Sequence, residues 1–160
     1  MQPCDHTSVG VLAFREGKLL LIDRKKPPYG LAAPSGHVDD HGAASASEEA
    51  RYQKAAIDEL REETGLTATT LTLVLEGRKE NPCRRGGDWH YWRIYTAETT
   101  GEVHASEDET RGHLWCDPGQ MSSLLASAVV QTEHGEIGLE PVWKEWLAST
   151  KIAWNLISKA

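Results

Sequence analysis

Asp58-Glu59-Leu60-Arg61-Glu62-Glu63-Thr64-Gly65-Leu66 sets three carboxylates along one stripe of a helix and ends that helix at a glycine. At about 3.6 residues per turn, Glu59, Glu62 and Glu63 stand at i, i+3 and i+4, so their side chains project together. Ile57, Leu60 and Thr64 fall on the opposite side, available to a core. Like charges about 6 Å apart repel by roughly 3 kcal/mol per pair at an effective dielectric of about 20. A hard divalent cation such as Mg²⁺ relieves that repulsion, because it takes oxygen ligands and shares them with substrate phosphates. The plain alternative is a solvated helix face, and the stripe taken alone favours it.

Working outward, Ser47 is the expected start of the helix, with Glu48 and Glu49 at its positive dipole end. Gly65 suits the left-handed position after the last turn. Upstream, Thr7 to Phe14 and Leu19 to Ile22 read as strands joined by the turn Arg15-Glu16-Gly17-Lys18. A basic, proline-broken loop follows from Arg24 to Gly30, then a short extended segment from Ala33 to Val38 and a polar loop from Asp39 to Ala46. Downstream, Leu71 to Glu76, His90 to Ala97 and His113 to Cys116 read as strands. An Arg-, Gly- and Pro-rich loop, Arg78 to Asp88, separates the first two. Asp117-Pro118 opens a helix. The last helix begins near Pro141, with Trp143, Trp146, Leu147, Trp154 and Ile157 at helical spacing.

With 160 residues, 39% hydrophobic and 26% charged, the chain has the composition of one globular domain. The expectation is a single domain over 1–160, with 139–158 as a C-terminal helical extension. No apolar run of about 18 residues occurs, so no membrane-spanning helix is expected, and the first residues carry no secretory signal pattern. Cys4, Cys83 and Cys116 are odd in number and widely spaced. That spacing argues for free thiols in a reducing cytoplasm, and against a disulfide framework or a zinc site. The net charge of −7 disfavours long nucleic acids, which need a basic footprint, but not small phosphorylated ligands.

Pro34-Ser35-Gly36-His37-Val38, taken with Glu59-Leu60-x-Glu62-Glu63-x-Gly65-Leu66, resembles the box of the Nudix hydrolases, whose pattern runs G-x5-E-x7-R-E-U-x-E-E-x-G-U with U aliphatic. The resemblance covers roughly residues 7 to 126 and implies an α/β (α+β) fold, an α/β/α sandwich around a mixed central sheet. Two departures stand out. Gly36 to Leu66 spans 31 positions against the 23 of the pattern, so eight extra residues fall within Gly42 to Lys54. Counting from Gly36 puts Gly42 where the family has its first Glu, leaving Glu48 and Glu49 as candidate replacements. Asp58 stands where the family has Arg, adding a like charge beside Glu62 that Lys54 can offset.

The resemblance implies a Mg²⁺-dependent hydrolase, with Mn²⁺ as an alternative ion, that cleaves the pyrophosphate linkage of a small nucleoside diphosphate derivative. Glu59, Glu62 and Glu63 are then the catalytic and metal-binding residues, with Glu59 the first choice to receive the proton of water. The carbonyl before the box glycine maps to Ser35, a position usually glycine. Glu109, with Glu107 as alternate, is the candidate for a further acid from a loop. Basic candidates for phosphate contact are Arg24, Lys25, Arg78, Arg84 and Arg85, and the substrate-contact set is Arg24, Arg78, Trp92 and Gly36.

His37 and His41 lie near enough in sequence to approach phosphates, and Cys83 has no neighbouring base to make it a nucleophile. Strand alternation places Trp89, Tyr91 and Arg93 on one face and His90 and Trp92 on the other. Trp143, Trp146 and Trp154 dock the last helix or form a homodimer contact rather than touch substrate. The rival reading is a Nudix-fold module that binds a nucleotide or metabolite with weak or no hydrolysis, prompted by Asp58, the absent box Glu and the insertion. An isomerase acting on a diphosphate is the least supported, since no Cys or Glu is placed for it.

Overall fold

The computed structural model describes residues 3–41, 47–127, 130–132 and 135–151. The elements are β1 (Thr7–Arg15), β2 (Lys18–Arg24), β3 (Leu31–Ala32), β4 (Ser35–His37), a 3-10 turn (Val38–Asp40), α1 (Glu48–Thr64), β5 (Thr67–Lys79), β6 (His90–Thr100), β7 (Thr110–Cys116), α2 (Pro118–Ser127), β8 (Val130–Thr132), β9 (Gly135–Ile137) and α3 (Pro141–Lys151). Residues 42–46, where the insertion begins, and Trp154 and Ile157 of the expected extension lie outside the described residues.

β1 organises the sheet. Glu16 and Gly17 both take positive φ, 53° and 75°, which closes the β1–β2 hairpin in the twist that flanking strands require. Only Phe14↔Leu19 and Arg15↔Lys18 pair before β2 diverges. The vacated edge of β1 is taken by β4, through Ser8↔His37, Val9↔Gly36 and Gly10↔Ser35. Along its other edge β1 runs parallel to β6 from Thr7↔Tyr91 to Ala13↔Ala97, and β5 pairs antiparallel outside β6. β2 continues the sheet through β7 and β3, both antiparallel. The sheet is therefore mixed, and β2 and β4 part to leave a cleft between them.

Both faces of β1 are buried, and alternate residues serve different layers. Val9, Val11 and Ala13 join Tyr52, Ala56, Leu60 and Tyr95 under α1. Leu12 joins Trp92, Ile94, Met121 and Leu124 with Trp143, Trp146 and Leu147 of α3 on the other face. The layers form an α/β/α sandwich, as the sequence resemblance implies. Trp143 and Trp146 dock the last helix.

The helix ends follow local chemistry. Ser47 Oγ accepts from the Ala50 N–H at 3.2 Å, and Gly65, at φ 78°, donates to the Arg61 carbonyl. Asp117 and Gln120 exchange bonds: the Gln120 N–H donates to Asp117 Oδ1 at 2.7 Å and the Asp117 N–H to Gln120 Oε1 at 2.9 Å. A short β8–β9 hairpin, absent from the sequence reading, precedes α3.

Gly10 is a packing requirement. A Cβ there would lie 2.3 Å from Cη2 of Trp143, a fully buried side chain that cannot retreat. Gly10→Ala is expected to lose roughly 1–3 kcal/mol of stability through overpacking, read as a lower urea midpoint. An unchanged midpoint would contradict this packing of α3 on β1.

Candidate active site

Helix α1 reaches its close approach to the sheet at β4. A Cβ on Gly36 would sit 2.1 Å from Oε1 and 2.2 Å from Cδ of Glu59, so only glycine admits the carboxylate there. One turn on, Glu63 Oε2 accepts the Ser35 main-chain N–H at 3.1 Å. Glu59 and Glu63 are buried, while Glu62 is exposed. The stripe is thus split between strand and solvent. Burial, then the charge of Glu59, pushes the Glu63 carboxyl well above its ordinary pKa. Burial likewise raises Glu59, opposed by the hydrogen bond from His41.

His41, just past the 3-10 turn, donates from Nε2 to Glu59 Oε1 at 2.6 Å and lies 3.4 Å from Asp58 through Nδ1. Its pKa is raised, first by the Glu59 hydrogen bond and then by the surrounding carboxylates against the cost of burial. Ligating atoms of His41, Glu59 and Glu62 all fall within 4.8 Å of one another. Asp58 accepts from Lys54 at 2.5 Å and Arg61 at 2.9 Å. Burial alone would raise the Asp58 pKa, but Lys54, Arg61 and His41 outweigh it and hold the carboxyl below its usual range.

Glu59 and Glu63 open onto a cleft of about 380 Å³. Arg24 comes from β2, Ser35, Gly36 and His37 from β4, Glu109 from the loop before β7, and Trp92 from β6. Glu109 adds its charge to those felt by Glu59 and Glu63. Its loop is fixed by the Ser106 N–H donating to the Glu63 carbonyl, and by Lys25 N–H donating to the Glu109 carbonyl at 2.9 Å. Glu107 does not line the cleft; its carbonyl accepts from Lys25 Nζ. Trp92 is 4% exposed, donates from Nε1 to Asn81 Oδ1, and meets Trp143 edge to face.

Arg78 is not brought to this cleft. Its guanidinium stacks over Trp89 and its Nε donates to Glu80. Glu48 and Glu49 are also elsewhere: both pair with Arg93, and the Tyr95 hydroxyl donates to Glu49. They stand in the first turn of α1 and pin the helix to β6.

The β5–β6 loop contributes Asn81, Cys83, Arg84 and Arg85 to the cleft wall. Arg85 is engaged by Asp39 in a bidentate pair at 2.7 and 3.1 Å. Sequence reasoning missed Asn81, Trp143, Glu140 and the Asp39–Arg85 pair as parts of this site. Only the basic character of the loop hinted at it. Cys4 and Cys83 also converge beside His37 and His90, despite their wide spacing in sequence.

The oxygen-rich end of the cleft fits a hard divalent cation. Two buried carboxylates face each other's charge, Gly36 leaves room for one of them, and Glu62 and Glu109 stand by from solvent-facing positions.

Comparison with known proteins agrees with this geometry. A profile of the NUDIX domain matches residues 5–135. No curated protein sequence matches the chain. Among solved structures, a MutT NUDIX hydrolase from Burkholderia pseudomallei is 23% identical, over 74% of this chain and 86% of that one, with a TM-score of 0.57. A MutT protein from Methanosarcina mazei Go1 is 14% identical over 96% and 97%, with a TM-score of 0.64. The NUDIX domain of Shewanella oneidensis NrtR, solved with ADP ribose, is 14% identical over 98% and 90%, with a TM-score of 0.62. These identities speak for the fold alone. The profile match spans most of the sequence and includes the glycine strand and the carboxylate helix, and by it the chain belongs to the Nudix family.

Proposed function

We propose that the chain is a divalent-metal-dependent hydrolase that cleaves the pyrophosphate linkage of a small nucleoside diphosphate derivative, with Mg²⁺ the expected ion and Mn²⁺ an alternative. The observation that carries this reading is the buried pair Glu59 and Glu63 against Ser35-Gly36, at the end of a cleft that also presents Arg24 and Arg84. Bound divalent cations neutralise phosphate oxygens and acidify the attacking water.

The protein's own groups do the rest. Glu59, Glu62, Glu63 and Glu109, with the Ser35 carbonyl, are the proposed metal ligands. Glu59, beside the cleft at Gly36, is also the proposed acceptor of the water proton. Arg24 balances the carboxylates electrostatically, and Arg84 lines the same cleft, available for phosphate contact. Trp92 and Trp143 add aromatic surface to the lining. ADP ribose, in the Shewanella structure, belongs to the same chemical class as the substrate proposed for this chain.

A second reading, a binding module with weak or no hydrolysis, draws on the short His41–Glu59 contact, which occupies one oxygen of the proposed base. A panel of nucleotide derivatives, assayed for products by mass spectrometry with Mg²⁺ or Mn²⁺ beside calorimetric binding, separates the two. Turnover at ordinary enzyme rates supports the hydrolase; tight binding without products supports the module.

Glu62→Gln and Glu63→Gln are each expected to lower Mg²⁺-dependent turnover by at least about 10²-fold, as loss of a preorganised charge does. Unchanged turnover in both folded variants would refute their assignment.

The raised carboxyls also set a pH dependence. In metal-free protein the folded state holds these protons more tightly than the unfolded chain. Their stabilising contribution is therefore present below the unfolded pKa and lost as pH rises through the folded one. Mg²⁺ favours the ionised form, so its gain in Tm should be larger at about pH 8 than at about pH 5.5. Equal gains at both pH values, or a full gain in Glu63→Gln, would contradict metal binding by this pair.

A further inference from the structure

We propose that Cys4, His37, Cys83 and His90 form a second metal site, a closed tetrahedral centre of two sulfurs and two nitrogens for Zn²⁺, which fastens the β5–β6 loop against the cleft. The proposal stands on different side chains from the carboxylate site and does not depend on the hydrolytic reading.

Four chain segments converge there: the stretch before β1, β4, the β5–β6 loop and the first residue of β6. Ligating atoms of all four residues lie within 4.8 Å of one another. Tetrahedral coordination at Zn–S and Zn–N distances sets neighbouring ligand atoms about 3.3–3.8 Å apart, so shifts of about 1 Å or less complete the shell. The pair Cys4 Sγ and His90 Nε2 is already at 3.3 Å. Both sulfurs close over Gly87, where a Cβ would come 2.8 Å from Cys4 Sγ and 3.1 Å from Cys83 Sγ.

The surroundings suit thiolate and imidazole ligands. The His6 main-chain N–H donates to Cys4 Sγ at 3.3 Å, the kind of bond that stabilises a metal-bound thiolate. Cys83 is presented by a tight turn, in which its N–H donates to the Gly87 carbonyl and the Gly86 N–H donates back to the Cys83 carbonyl. His90 is 1% exposed, and its Nε2 faces Cys4 Sγ. Two thiolates and two neutral imidazoles would bring a divalent ion to net neutrality, which suits the half-buried position. Sulfur and imidazole together select Zn²⁺ over Mg²⁺.

The consequence is a fixed wall. The same loop carries Asn81, Arg84 and Arg85 into the cleft, and the Asp39–Arg85 pair already ties it to the 3-10 turn after β4. Metal binding would join residue 4 to residue 83 across most of a β–α–β stretch, so that loop order and ion occupancy become linked.

Co²⁺ titrated into the reduced, metal-free full chain provides the test. The expected result is sulfur-to-cobalt charge transfer in the near ultraviolet that saturates at about one thiolate-bound Co²⁺ per chain, counted apart from Co²⁺ at the carboxylates, and is lost on addition of Zn²⁺. Cys83→Ser should weaken that binding at least about tenfold, while Glu62→Gln should leave the charge-transfer band intact. Because Cys83→Ser can fail to fold, thiol labelling of the unmodified chain gives a second readout. Zn²⁺ should block both half-buried thiols, with a chelator restoring them, and buried Cys116 serves as the unreactive reference. Absence of the charge-transfer band, or labelling of Cys4 and Cys83 at the same rate with and without Zn²⁺, would overturn the proposal. So would a Cys4–Cys83 disulfide that persists in place of metal binding.

Discussion

The contact between Glu59 and the bare Cα of Gly36 governs where the rest of the site falls. It exists because β2 leaves β1 after two residue pairs, letting β4 take the vacant edge with Gly36 opposite Val9. That register presents the Ser35 N–H to Glu63, one helical turn after Glu59. Any side chain at Gly36 would push α1 outward and unseat both carboxylates together. The same divergence of β2 from β4 opens the cleft into which Arg24 and Glu109 face.

Holding so many acids near one strand is costly, and the protein manages the cost locally. Asp58 stands where the family has Arg, yet Lys54, Arg61 and His41 surround it and keep it ionised. His41 also bonds Glu59, so it links Asp58 to the carboxylate at the glycine strand. Glu59 and Glu63 keep a residual penalty, visible in their raised pKa values. A divalent cation would relieve that penalty while binding phosphate, which is why the strain is placed at the cleft and not in the core.

Much of the fold was readable because local signals agreed with one another. Ser47, the 3.6-residue periodicity and Gly65 marked α1 to within a residue, and Asp117-Pro118 marked α2. Alternation in β6 placed His90 and Trp92 together on one face, away from Tyr91 and Arg93. Glu109 and Arg24 both line the cleft. What escaped depended on contacts distant in sequence. Arg78 looked no different from Arg84, but Trp89 and Glu80 hold it outside the cleft. Glu48 and Glu49, the candidate box acids, pair with Arg93, some 45 residues away in sequence. Wide cysteine spacing gave no sign that Cys4 and Cys83 meet beside His37 and His90, because only the fold brings their segments together.

The central claim is that the carboxylate end of the cleft, built on Gly36, is a metal centre. Anomalous diffraction from crystals soaked in Mn²⁺ tests it most directly. A manganese peak is expected within bonding distance of Glu59 and Glu63 and beside the Ser35 carbonyl. Manganese bound only elsewhere on the protein, with His41 still seated on Glu59, would contradict it.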